Sequence, residues 1–128
     1  DIQLSISFPG KPMEITLEEE EQWNYIYRDL GQGNTYQLQV YDRSTTTSWE
    51  DAAAEYLPTP EESPYEKIEL PNGGEAIQGL AQEYWDNSMS WTRVLMTEDV
   101  VVVLKASGGN KFMNSPRAFR FFDSLTMW

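Results

Sequence analysis

Residues 100–104, VVVVL, constrain the fold more than any other part of the chain, because all five side chains are apolar. A run of this length suits a strand, and consecutive apolar positions indicate that both faces of the strand are buried. No apolar run approaches the roughly 20 residues that a membrane-spanning helix needs. We therefore expect a sheet that is covered on both sides and no membrane-spanning segment.

Alternating apolar side chains predict several further strands. Residues 2–8 alternate apolar with polar side chains up to a Pro-Gly pair, which is the period of a strand with one buried face. Residues 23–28 and 36–40 show the same period on either side of the turn LGQGN and predict a hairpin. Later strands are predicted at YEKIEL, in the stretch that ends at Trp85, and at SWTRVLMT.

Matching side chains across the later turns predicts how these strands pair. If Trp85 faces Trp91 across the first turn, Glu83 falls opposite Arg93, so that opposite charges pair. This pairing would also place two indole rings side by side at one end of the hairpin.

A tight turn at residues 98–99 sets Leu95 against Val102 and Val94 against Val103 in the next hairpin. The two pairs lie on opposite faces of the sheet, because neighbouring residues of a strand point to opposite sides. Both pairs are apolar, which again indicates burial on both faces.

Two segments change to a helical period. In SWEDAAAEYL, Ser48 can cap a helix whose apolar side chains recur at i, i+3, i+4 and i+7. In SPRAFRFFDSL, Ser115 is expected to cap and Pro116 to take the first helical position, with Phe121 and Phe122 on the apolar stripe. Each helix has one stripe to bury, and the sheet offers two faces.

The polar side of the second helix carries Arg120 and Asp123, which are close enough for a weak surface ion pair. Its Ser124 is expected to project away from the core in the same way. We expect the phenylalanines of this helix to close the core rather than to bind a partner, since an amphipathic stripe is the usual way to complete a domain.

The predicted fold class is α+β, a mainly antiparallel sheet flanked by one helix on each face. A chain of 128 residues fits one domain, so residues 1–128 are expected to form a single unit.

Composition removes several classes of function. The formal net charge of −12 leaves no basic surface for a polyphosphate, so nucleic acid is not an expected partner. The chain contains no Cys and no His, which excludes thiol and imidazole catalysis, disulfides and the usual zinc sites. We predict no catalytic residues, no metal site and no cofactor.

The acidic residues allow two minor alternatives. The glutamates at 18–21 could gather a hard cation, but like-charged blocks without an ion-loop spacing usually remain in water. A carboxylate-dependent hydrolase needs two acids across a cleft, and in a chain with 21 acids some pair meets that distance by chance.

Aromatic residues provide the candidate binding surface, because five tryptophans and seven tyrosines exceed what a small core readily encloses. If the hairpin end is exposed, its rings form a stacking platform for a peptide, a sugar or a lipid head. The alternative is a cross-strand ring pair packed beneath the terminal helix. The candidate residues are Trp85, Trp91, Trp23, Tyr25 and Phe119.

Several local strings resemble exported bacterial proteins of the PsbP-like and DcrB-like class. These strings are LSISFPGKP, YQLQVYD followed by WEDAAAEYL, the valine-rich late strand, and the ending SPRAFRFFDSL. The likeness runs over nearly the whole chain. It implies an α/β/α sandwich, related in fold to photosystem II extrinsic proteins and to a Ran-binding nuclear import factor.

The resemblance also implies a function class. Proteins on this fold act mainly as noncatalytic binding or assembly factors, and fold alone does not fix the partner. We therefore expect an exported, noncatalytic module that is periplasmic, lumenal or at the cell surface, with an anchor conceivable in its precursor. Its partner would be a protein or a small neutral ligand. The alternatives are a small-molecule or lipid carrier with a pocket between sheet and helix and, less favoured, the hydrolase.

Overall fold

The described residues of the computed structural model form two antiparallel sheets and two short helices. These residues are 2–8, 11–17, 23–29, 34–42, 48–57, 65–70, 74–82, 89–97, 100–109 and 116–127. The helices are α1 (Trp49–Tyr56) and α2 (Arg117–Asp123). The strands are β1 (Ile2–Phe8), β2 (Lys11–Leu17), β3 (Trp23–Asp29), β4 (Asn34–Asp42), β5 (Glu66–Glu69), β6 (Glu75–Gln82), β7 (Met89–Met96), β8 (Val100–Gly108) and β9 (Thr126–Met127).

The larger sheet has six strands in the order β3-β4-β8-β7-β6-β5, all paired antiparallel. The apolar run at residues 100–104 lies in β8, inside this sheet, and all five of its residues are buried. The mainly antiparallel sheet and the α+β class predicted from the sequence are thus confirmed. Within the described residues, no helix combines the length and the apolar character that crossing a membrane requires.

The side chains of β8 divide between two apolar clusters. We call the first the aromatic cluster, because Phe121 and Phe122 of α2 belong to it, and the second the alanine cluster, because Ala52 and Ala53 of α1 belong to it. The aromatic cluster consists of Leu4, Ile6, Phe8, Tyr36, Leu38, Val40, Val100, Val102, Leu104, Ala106, Phe121 and Phe122. The alanine cluster consists of Ala52, Ala53, Leu57, Ile77, Val94, Val101 and Val103.

A second sheet of three strands, in the order β2-β1-β9, contributes to the aromatic cluster. The buried side chains Leu4, Ile6 and Phe8 of β1 belong to that cluster, as the alternation of residues 2–8 predicts. Strands β2 and β9 go beyond the predicted strands. Ser124 is also placed differently from the prediction, since its Oγ accepts a hydrogen bond from the backbone N–H of Ser7 at 2.9 Å.

The register between β7 and β8 is confirmed. Leu95 pairs with Val102 and Val94 pairs with Val103. The first pair packs on the aromatic cluster and the second lies in the alanine cluster, so the two pairs occupy opposite faces.

The register predicted between β6 and β7 is wrong. Leu80, not Trp85, pairs with Trp91, and Gln78, not Glu83, pairs with Arg93. The difference is five positions, an odd number, so the side chains of β6 exchange faces relative to the prediction. The observed register buries Ile77 fully in the alanine cluster.

The first helix begins as predicted, with the Oγ of Ser48 accepting a hydrogen bond from the N–H of Asp51 at 3.2 Å. The second helix begins one residue later than expected, at Arg117, with Pro116 in the cap position and no side-chain cap bond. Proline suits this end of a helix because the first N–H groups have no intrahelical acceptor. Ser115, the predicted cap, lies outside the described residues.

Candidate binding surface

Trp91 of β7 and Phe119 of α2 form a ring pair with centroids 5.4 Å apart and planes tilted by 57°. Trp91 points toward α2 because it shares its side of β7 with Leu95, which packs on the aromatic cluster. Both rings are half-buried and pack against the aromatic cluster. Part of each ring remains exposed, so the pair offers an apolar contact whose base is anchored in the core.

Arg93 lies beside this ring pair and is only 5% exposed. The centre of its guanidinium stands 5.0 Å from the ring centroid of Phe122 and 6.0 Å from that of Phe119. A cation at this distance from an aromatic face is attracted to the ring. The guanidinium therefore contacts Phe119 and Phe122, two of the three phenylalanines of α2.

Hydrogen bonds compensate for the burial of this charge. The Nη1 of Arg93 donates to Oδ1 of Asp123 at 2.8 Å, while Nε and Nη2 donate to Oε1 of Gln78 at 3.2 and 3.1 Å. A buried guanidinium without such acceptors would be costly. The side chain of Asp123 is 49% exposed, so solvent screens part of its attraction to Arg93.

The polar network continues to the outer strand of the sheet. Gln78 is 6% exposed and donates from Nε2 to Oε1 of Glu66 at 2.7 Å. The register places Glu66, Gln78 and Arg93 side by side on β5, β6 and β7. A continuous row of polar groups thus links the edge of the sheet to α2 and supports the orientation of Arg93.

The structure divides the predicted aromatic surface. Trp91 and Phe119 come together, whereas Tyr25 lies on β3 and packs on Phe8 with ring centroids 4.9 Å apart. Strands β3 and β7 are three strand spacings apart in the sheet, which is about 14 Å. Trp85 and the side chain of Trp23 lie outside the described residues.

On the other face of the sheet, Tyr41 of β4 stacks on Tyr56 of α1, with ring centroids 5.1 Å apart. Burial raises the pKa of Tyr41, and the negative charge of Glu55 raises it further. Both effects disfavour the phenolate. This tyrosine is thus held neutral by its surroundings.

Within the described residues, no group of three or more acidic side chains is placed to hold a metal ion. The glutamates at 18–21, which carry the cation alternative, lie outside those residues. That alternative stays a prediction.

Sequence reasoning missed Gln78 and Asp123 as partners of Arg93. The available signal is an arginine in the middle of β7, on the same side of the strand as Trp91 and Leu95, since a buried cation requires acceptors. Asp123 was assigned to Arg120, its neighbour on the helix, but its carboxylate instead reaches Arg93, which lies 30 residues away in sequence.

The chain matches no protein-family model, and the comparisons with curated proteins and with solved structures gave no match either. The PsbP-like and DcrB-like resemblance therefore stays a prediction. The candidate function depends on the geometry of the aromatic pair and on the network beneath it.

Proposed function

We propose that this protein is a noncatalytic binding module that recognises a protein partner through Trp91 and Phe119. The observation that carries the proposal is the partly exposed ring pair of Trp91 and Phe119, which lies against the buried Arg93. Tryptophan and arginine are among the residues that contribute most to binding energy at protein interfaces. Small patches of fixed aromatic rings next to a polar network are typical of such interfaces.

Preorganisation supports this role. Phe119 contacts Trp91 on one side and Phe122 on another, with the Phe119 and Phe122 centroids 6.0 Å apart at a near-perpendicular angle. A ring that is already fixed loses little conformational freedom when a partner covers it. Such a surface can bind without first ordering its own side chains.

Our proposal extends to architecture and location: a single PsbP-like domain over residues 1–128, an α/β/α sandwich, exported from the cell. Support comes from the separation of the helices between the two clusters, with Phe121 in one and Ala52 in the other. The N-terminal sequence of the full precursor tests export. Cytoplasmic retention of a precursor without a signal peptide would contradict it.

The binding proposal can be tested by replacing Phe119 with a photo-crosslinking phenylalanine analogue in the producing cell. Crosslinked partners are identified by mass spectrometry, and their affinity for purified wild-type protein is measured by calorimetry. We expect Trp91→Ala to weaken binding by roughly tenfold or more, the loss of about 1.4 kcal/mol typical of a central contact.

The matched control is Trp49→Ala, which removes a half-buried tryptophan that packs on the alanine cluster. This control is expected to leave the affinity unchanged. Equal losses for both variants would contradict the proposed surface. A small molecule that copurifies with the protein and shifts Trp91 fluorescence would instead favour the carrier.

A further inference from the structure

The six-stranded sheet has two outer strands, β3 and β5, and they differ in how they are protected. Strand β5 is four residues long with the sequence EKIE, and its Lys67 pairs with Glu75 of β6 at 2.9 Å. Short length and charged side chains are the usual means of preventing another strand from pairing with a sheet edge. Strand β5 is therefore poorly suited to accept a further strand.

Strand β3 has none of these protections over most of its length. It is seven residues long, and the side chain of Ile26 at its centre is 43% exposed. Its flanking side chains Tyr25 and Tyr27 are half-buried on the opposite face, where both pack on the aromatic cluster. The middle of β3 thus presents apolar contacts on both faces.

The backbone of β3 offers the second requirement for strand addition. In an antiparallel pair, every second residue directs its N–H and C=O groups away from the partner strand. Strand β3 pairs with β4 on one side, and the described part of the chain places no strand on the other. Alternate residues of β3 therefore direct their donors and acceptors toward that open side.

We propose that β3 binds an extended, basic segment of a partner protein by strand addition. Charge favours a basic partner segment, because the chain has a formal net charge of −12. Glutamates also occupy residues 18–21, which precede β3 in the sequence. At the other end of β3, Arg28 is followed by Asp29, which offsets its charge.

The same charge disfavours a second copy of this chain, because each copy would bring its own formal charge of −12 to the contact. Strand addition supplies affinity through main-chain hydrogen bonds and specificity through alternate side chains. The partner segment should therefore carry apolar residues beside Ile26 and the two tyrosines, with basic residues toward its ends.

The probe is a synthetic peptide of about seven residues, a typical strand length, with valine and threonine at its centre and lysine at both ends. Its binding to the full chain is measured by calorimetry, and the contact is located by amide hydrogen exchange. We expect protection of amides within Trp23–Asp29 and none within Glu66–Glu69. A peptide with glutamate in place of lysine should not bind.

Two N-methylated versions of the peptide separate strand pairing from simple charge attraction. Methylation at alternate residues removes the donors along one side of the peptide, and the second version removes those along the other. We expect one version to lose binding and the other to keep it, because a strand pairs through one side only. Equal binding by both versions overturns the proposal.

A matched pair of variants tests the location. Ile26→Lys places a positive charge at an exposed site of the edge strand. It should weaken peptide binding by roughly fivefold or more, because a cross-strand contact is lost and repulsion with the basic peptide is added. Ile68→Lys on β5 should leave binding unchanged. Equal effects, or protein that self-associates through β3 in the absence of peptide, would overturn the assignment.

This proposal is independent of the ring pair about 14 Å away on β7. Trp91→Ala is expected to leave peptide binding unchanged. Failure of the peptide therefore does not bear on the Trp91 surface, and failure of that surface does not bear on β3.

Discussion

The two apolar clusters that share strand β8 are built from different side chains. The aromatic cluster contains Phe121 and Phe122 of α2, whereas the alanine cluster contains Ala52 and Ala53 of α1. Deleting a ring leaves a large void, whereas an alanine at a closely packed site leaves no room for a larger side chain. We therefore expect opposite changes to destabilise the two clusters: loss of side-chain volume in the aromatic cluster and gain of side-chain volume in the alanine cluster.

The largest expected loss of stability follows from a change in the aromatic cluster. Phe121 is 2% exposed and contacts the rings of Phe8 and Tyr36 at 5.1 and 5.2 Å. Phe121→Ala should lower the free energy of unfolding by about 3 to 5 kcal/mol. Chemical denaturation measures the loss. Tyr56→Ala, which removes a half-buried ring from α1, should lower the free energy of unfolding by less than half as much. Equal losses for the two variants would contradict the distinction between the two clusters.

In the alanine cluster, a larger side chain should be the destabilising change. Ala52 is fully buried and belongs to the same cluster as Leu57 and Ile77. Ala52→Leu is expected to cost about 1 to 3 kcal/mol of unfolding free energy. The matched variant Ala54→Leu changes an exposed position of the same helix and should be near neutral. An Ala52→Leu variant as stable as the wild type would show that the alanine cluster is loosely packed.

The Arg93 network should contribute a smaller amount. Asp123→Asn removes the charge opposite Arg93 and should destabilise the fold by about 1 to 2 kcal/mol, since the guanidinium stays buried with a weaker acceptor. Thermal and chemical unfolding both report this loss. Arg120→Gln, on the exposed side of the same helix, is the control and should change stability by less than about 0.5 kcal/mol. If both variants change stability by the same amount, the ion pair between Arg93 and Asp123 does not stabilise the position of α2.

A stabilising change is expected at Thr92. Its hydroxyl is buried and has no hydrogen-bond partner among the described residues. Thr92→Val replaces the hydroxyl by a methyl group of similar shape and should raise the free energy of unfolding by up to about 1 kcal/mol. The neighbouring Val94→Thr should do the reverse. A loss of stability in Thr92→Val would mean that the hydroxyl is satisfied.

The smallest expected effect is on the pH dependence of stability. Folding raises the pKa of Tyr41 above its ordinary value of 10.0, so the tyrosine ionises at a lower pH in the unfolded state than in the folded state. Stability from this group is complete below pH 10.0 and falls as the pH rises through the raised pKa. The free energy of unfolding, measured across this pH range, should fall less steeply with pH in Tyr41→Phe than in the wild type. Glu55→Gln should give an intermediate slope. Identical slopes would contradict the shift.

The sequence predicts the middle of the fold well because local patterns determine it. A run of five apolar residues requires a strand with two buried faces, and the short turn before it leaves little choice of register between β7 and β8. The cap at Ser48 and the stripe of α1 are also local. These features need no knowledge of distant parts of the chain.

The predictions that differ depend on contacts across long sequence separations. The register of β6 places Gln78 beside Arg93, and Arg93 in turn needs Asp123 from α2. Charge matching within the hairpin alone favours Glu83, because the local sequence gives no sign of the contact between Arg93 and α2. The position of the ring pair has the same cause: Trp91 meets Phe119 only when α2 is in place.

The pairing of β1 with β9 has a consequence for synthesis. Leu4 lies opposite Met127, so the first described strand hydrogen-bonds to the last one. During translation β1 and β2 leave the ribosome before α2 and β9, so the contact between Phe8 and Phe121 cannot form until α2 has emerged. Part of the apolar surface of β1 stays uncovered during this interval, which is when a chaperone would have most to protect.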